Sequence, residues 1–127
     1  MLSLNNVNHI AILCSDYQQS LQFYTQVLGC TLISEEIRDG GKFILTRLAL
    51  NGVYTIELFA FDRYIQRPAE PETLGLRHLA FTVNSLEKAV EELDRLGVEH
   101  EAIRVLPNLR ILFFADPDGL PIELVEA

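Results

Sequence analysis

Hydrophobic and polar positions along this chain fall into one succession that occurs twice. Val7 to Leu13 alternates, which predicts a strand with His9, Ala11 and Leu13 on one face. Ser15 or Asp16 then offers a helix cap, with Gln18 or Gln19 three residues further on. Leu21, Tyr24 and Leu28 recur at helical spacing, and Gly29 stops the helix. Three more strands are predicted over Thr31 to Ile37, Phe43 to Leu50 and Val53 to Ala60. Asp39-Gly40-Gly41 and Asn51-Gly52 supply the turns, and Asn-Gly is a strong hairpin signal.

Asp62 to Gly75 contains Pro68 and Pro71 and sustains no period, so it reads as a linker. Beyond it the same plan returns. A strand is predicted over Arg77 to Val83, placing His78, Ala80 and Thr82 together, and Asn84 or Ser85 caps a second helix. That helix carries Leu86, Ala89, Val90, Leu93 and Leu96 on one stripe. Strands near Val98 to Val105, Arg110 to Ala115 and Leu120 to Glu126 complete the half. Asp116-Pro117-Asp118-Gly119 is a β-turn sequence, since proline fixes φ at its second position. The expected fold class is α+β, a single domain of two β-α-β-β-β modules over residues 5–61 and 76–127, with the linker at 62–75.

Composition narrows the setting. The chain has 127 residues, 49% of them hydrophobic and 22% charged, enough to bury a core in one domain. A net charge of −8 argues against nucleic acid or an anionic membrane as the main partner. No stretch approaches the roughly 20 apolar residues of a membrane span, and the N-terminus lacks the pattern of a secretory signal. Cys14 and Cys30 do not make a disulfide framework; they read as buried thiols in a reducing cytoplasm.

The candidate chemistry lies in the repeat. His9 opens one alternating run and His78 the other; Glu57 and Glu123 each sit in an Ile-Glu-Leu strand, 48 and 45 residues beyond their histidines. Taken singly, each has a structural explanation: a hydrogen-bonded histidine at a strand start, or a glutamate paired with Arg77, Arg104 or Arg110. Recurrence at matching places favours a shared role. Carboxylates among apolar neighbours are costly unless compensated, and a divalent cation compensates them. Imidazole nitrogen with carboxylate oxygen suits Zn, Ni, Co, Fe or Mn, and the lack of Cys ligands argues against a closed structural zinc site. His100 lies outside the pairs and reads as a surface residue, while Asp116 and Asp118 read as turn-formers. Arg63, Tyr64 and Arg67 in the linker are candidates to meet an anionic group, beside the simpler reading of a solvated connector.

Val-Asn-His9-Ile-Ala-Ile, Phe23-Tyr24 with Leu28-Gly29, Ile56-Glu57-Leu58, Leu76-Arg77-His78-Leu79-Ala80-Phe81 and Asp116-Pro117-Asp118-Gly119-Leu120-Pro121-Ile122-Glu123-Leu124 together resemble the vicinal oxygen chelate superfamily, in its glyoxalase I-like branch. The resemblance spans nearly the whole chain. It implies paired modules forming a cupped mixed sheet around one divalent transition metal, with His9, Glu57, His78 and Glu123 as ligands. It further implies a lyase or isomerase that moves a proton on a small vicinal-oxygen substrate through a metal-stabilised enediolate. Glu123 would be the base and Glu57 the steadier ligand. Small members of the family pair as homodimers, so a homodimer is expected. The branch that uses glutathione carries an Arg and an Asn where this chain has Leu13 and Phe61, so strict glutathione dependence is not expected. The alternatives are a non-catalytic small-molecule binding module of the resistance type and an Fe(II) dioxygenase.

Overall fold

The computed structural model describes residues 1–126; Ala127, the last residue of the expected second module, lies outside them. The chain divides into two compact units, Met1–Tyr64 and a second beginning at Ile65. In the first unit β1 (Ile10–Cys14) leads to α1 (Tyr17–Gln22), then β2 (Thr31–Arg38), β3 (Phe43–Leu50) and β4 (Val53–Phe61). These four strands form a mixed sheet in the order β1-β4-β3-β2, with β1 parallel to β4 and the other pairs antiparallel. The second unit repeats this with β5 (Leu79–Val83), α2 (Leu86–Arg95), β6 (Arg104–Val105), β7 (Arg110–Ala115) and β8 (Pro121–Glu126), ordered β5-β8-β7-β6. The α+β class and the doubled β-α-β-β-β plan are therefore what the chain adopts.

Local chemistry explains both helices. Asp16 and Ser85 are the N-caps, each accepting from a backbone N–H three residues on, at Gln19 and Lys88. After Gln22 the first helix widens into a π-type turn over Phe23–Val27, and the Leu28 N–H reaches back to the Phe23 carbonyl at 3.1 Å. Both helices then end alike. Gly29 and Gly97 adopt φ of 78° and 72°, and Cys30 and Val98 donate to the carbonyls of Tyr24 and Leu93 at 3.0 and 2.9 Å. This left-handed stop tolerates glycine best, which is why Leu-Gly closes both helical stretches.

Each sheet buries one face and leaves the other open. Ile12, Cys14, Leu48, Ile56 and Leu58 are buried in the first unit, and Leu79, Leu112, Ile122 and Leu124 in the second. Each such side chain contributes on the order of 1.5–3 kcal/mol through removal from water. Tyr17 fastens α1 to the sheet: its hydroxyl donates to Glu35 and meets Thr46 Oγ1 at 2.6 Å, and its pKa is pushed up to about 12, first by burial and then by Glu35. Cys14 and Cys30 are buried thiols. Among the described residues no helix is long and apolar enough to cross a membrane.

Several strand limits differ from the sequence reading. The first strand begins at Ile10, not Val7, and the fifth at Leu79, not Arg77, so His9 and His78 each stand one residue before their strand. Each strand pairs with a parallel neighbour of its own, β1 with β4 and β5 with β8, and that pairing starts only where Ile10 meets Ile56 and Leu79 meets Ile122. The segment near Val98 to Val105 is not one strand. It makes a single bridge from His100 to Phe114 and then the two-residue β6, because its run carries Glu99, His100 and Glu101 in place of an alternating apolar set.

Asp116 is a turn-former, as expected. It is buried, and its carboxylate accepts from the N–H groups of Asp118 and Leu120, both at 2.9 Å. Asp116→Ala is expected to lower stability by about 1–3 kcal/mol, because two part-buried backbone donors lose their acceptor. Urea unfolding with an unchanged slope is the check.

Candidate functional site

The open face of the first sheet carries the first candidate pair. Residues directly opposite in register share a face, so Ala11 of β1, Glu57 of β4 and Arg47 of β3 lie together. His9, just ahead of β1, points its Nε2 to within 3.7 Å of Glu57 Oε1. Its other nitrogen, Nδ1, meets Asn8 Oδ1 at 2.6 Å, an acceptor that holds the ring with Nε2 turned to the carboxylate. Two donor atoms that share a cation at 2.0–2.2 Å each lie roughly 3–4 Å apart, so this pair fits a divalent metal. Glu57 is only 12% exposed, His9 34%.

Two residues outside the sequence-derived set support Glu57. Tyr54 donates its hydroxyl to Glu57 Oε2 at 2.5 Å, and its ring stacks on His9 with centroids 5.2 Å apart. Burial, and then the Glu57 carboxylate, pushes the Tyr54 pKa up, so this phenol remains a donor. Arg47 Nε stands 3.7 Å from Glu57 Oε2 while its Nη1 bonds Glu36 at 3.0 Å. Tyr54 lies three residues before Glu57 and Arg47 is fixed by cross-strand register, so only knowledge of the sheet brings the two together.

Further along this face the surface turns apolar. Phe59 and Phe61 follow Glu57 at alternate positions, with rings parallel to within 3° and centroids 5.7 Å apart, and Phe43 approaches Phe61 at 4.9 Å. Leu13 pairs with Phe59 in register and is half exposed, as is Phe61.

The second unit places its pair by the same register. Ala80 lies opposite Glu123 as Ala11 lies opposite Glu57. The cross-strand neighbour differs: Phe113 faces Glu123 where Arg47 faces Glu57. His78 packs edge-on against the Phe113 ring at 5.4 Å, and its Nδ1 lies 3.2 Å from Arg77 Nη1. A guanidinium only donates, so Nδ1 is the acceptor there, and metal coordination through either ring nitrogen would displace Arg77. Arg67 does not point to an anion; it donates to the Leu76 and Arg77 carbonyls, both at 3.1 Å, and fixes the approach to His78. Among the described residues no three His, Cys, Asp or Glu side chains form a ready cluster for a metal ion.

The arginines first considered as glutamate partners serve elsewhere. Arg110 bonds Glu126 and Glu87, Arg104 bonds Glu101, and Arg77 bonds Glu72. His100 is no ordinary surface residue either, being 17% exposed. Its Nδ1 meets the Glu101 carbonyl and its Nε2 meets Asp94 Oδ1, both at 2.8 Å. Two acceptors suit an imidazolium, and the backbone carbonyl and then Asp94 raise its pKa above the ordinary 6.5. The stability it adds is therefore complete below about pH 6.5 and declines as pH rises through the raised folded value. His100→Gln is expected to remove that pH dependence, read as the urea midpoint across pH 5–9.

Comparison with known proteins bears on the family and the fold. The family model described as Glyoxalase/Bleomycin resistance protein/Dioxygenase superfamily matches residues 6–124. The chain is 50% identical over 125 residues to uncharacterized protein YwkD of Bacillus subtilis, covering 97% of this chain and 98% of that one. It is 32% identical over 124 residues to the lactoylglutathione lyase of Salmonella typhimurium, covering 94% and 90%. A crystal structure of a glyoxalase family protein from Enterococcus faecalis superposes with a TM-score of 0.87 at 40% identity, covering 95% and 97%.

Proposed function

This chain belongs to the Glyoxalase/Bleomycin resistance protein/Dioxygenase superfamily, and we propose that it is a metal-dependent lyase or isomerase that shifts a proton on a small vicinal-oxygen substrate. His9, Glu57, His78 and Glu123 hold one divalent transition metal in this reading, the two pairs coming from one chain or from two chains of a homodimer. The observation that carries it is the His9–Glu57 pair, with Nε2 turned to Oε1 at 3.7 Å and the far ring nitrogen fixed by Asn8. A bound cation would supply Lewis-acid stabilisation of negative charge on two adjacent substrate oxygens.

The chain's own residues divide the remaining work. Glu57 is tethered by Tyr54 and flanked by Arg47, which suits a ligand that stays in place. Glu123 faces the Phe113 ring instead, without a guanidinium in the opposite register position, which suits a carboxylate that moves to take and return the substrate proton. Leu13 and the Phe43, Phe59 and Phe61 rings offer an apolar wall and no capture of glutathione carboxylates. Strict glutathione dependence is therefore not expected. The same family reading makes a homodimer the expected assembly, and the two buried thiols suit a reducing cytoplasm.

Incubation of the metal-loaded protein with a panel of 2-hydroxy and 2-oxo compounds in D₂O tests this. Solvent deuterium entering the carbon beside the carbonyl, without oxygen uptake, is the expected result. Saturable binding with no exchange across the panel would mark a binding module instead. Oxygen consumption under Fe(II) would mark a dioxygenase.

A further inference from the structure

A cavity of about 560 Å³ lies wholly within the second unit, lined by Arg77, Glu99, His100, Glu101, Arg104 and Phe113 among others. Nothing in the proton-transfer reading uses it. Three potential cations meet two carboxylates on its wall. The Arg104 guanidinium lies over the Phe113 ring at 5.4 Å, and the edge-on contact of His78 with that ring has the same 5.4 Å separation. The guanidinium and the imidazole are therefore within twice that distance of each other. Phe113 also stands opposite Glu123 in the sheet.

We propose that this cavity seats an oxyanion, the carboxylate or phosphate end of a small substrate, held by Arg104 with Arg77 beside the candidate ligands His78 and Glu123. The inference rests on the metal-site reading for the word substrate, but the anion site itself does not. Each guanidinium is now occupied by a carboxylate of its own: Arg104 by Glu101 at 2.6 Å and Arg77 by Glu72 at 3.0 Å. All four side chains are more than half exposed, and exposed pairs of this kind are weak and readily exchanged. Glu101 is three residues from Arg104, a neighbour that can release the fork without moving the fold. A guanidinium on an aromatic face, its planar edge free to turn, matches the two oxygens of a carboxylate or phosphate. The site selects small molecules, because the distance from Arg104 to His78 leaves room for only a few bonds between the oxyanion and the chelating oxygens.

NMR titration of the ¹⁵N-labelled full chain with inorganic phosphate and, separately, with lactate tests the proposal. Saturable shifts at Arg104, His100 and Phe113 are expected with at least one probe, and which of the two binds more tightly distinguishes phosphate from carboxylate. Arg104→Met should weaken that binding about tenfold or more, Arg104→Lys less, and Arg95→Met, away from the cavity, not at all. The amide spectrum of each variant reports its folding directly. Unsaturable or scattered shifts in the wild type, or unchanged affinity in a folded Arg104→Met, would overturn the proposal. Metal uptake is measured on the same samples: anion binding without metal uptake sinks the metal reading alone, and metal uptake without anion binding sinks this one alone.

Discussion

Glu123→Gln is expected to lower turnover by about 10²–10⁴-fold while metal stays bound, because the amide keeps an oxygen for coordination and loses the ability to accept a proton. Glu123 is placed for this by β8, whose parallel pairing with β5 sets it opposite Ala80 two residues beyond His78. Its antiparallel neighbour is Phe113, so the carboxylate has an aromatic ring across the strand where Glu57 has Arg47. The measurement is kcat/KM on a substrate from the exchange panel, alongside metal content. Full turnover in a metal-loaded Glu123→Gln protein would remove Glu123 from the role of base.

Tyr54→Phe is expected to weaken metal affinity by about 10–100-fold, the usual cost of losing an outer hydrogen bond to a ligand. The substitution keeps the ring that stacks on His9 and removes only the hydroxyl that donates to Glu57 Oε2. A fold defect is thus not expected, and unfolding by urea should confirm near-native stability. Competition with a chromophoric chelator gives the affinity. An unchanged value would mean that the Tyr54–Glu57 bond does not orient the carboxylate, whatever else the pair does.

The features legible in the sequence rest on short-range physics. The Leu-Gly helix ends, the Asn51-Gly52 hairpin and the Asp116 turn each depend on one or two residues with a strong conformational preference, and each forms where expected. Alternation in β4 and β8 likewise puts Glu57 and Glu123 on the faces turned away from the core. Alternation alone starts the first and fifth strands too early, at Val7 and Arg77, since the pattern extends past the point where a partner strand exists. Contacts set by the folded path of the chain are not legible, whatever their separation in sequence. Arg47 at Glu57 depends on cross-strand register, while Tyr54 at Glu57, Arg67 on the Leu76–Arg77 backbone and Asp94 with His100 depend on the course of the folded backbone, and no local pattern announces them. His100 reads as a surface residue for this reason: a lone histidine in a polar run gives no sign that two acceptors await its ring.

The most direct test is metal content by elemental analysis of the wild type, His9→Ala and His78→Ala, purified without added metal and again after incubation with Ni, Co, Zn, Mn or Fe(II). A centre that needs both histidines, from one chain or across a homodimer, requires near one equivalent per chain in the wild type and little in either variant. Absence of metal from the wild type under every condition, or full retention in His78→Ala, would contradict a shared centre and leave the repeated His and Glu residues as structural features of two similar sheets.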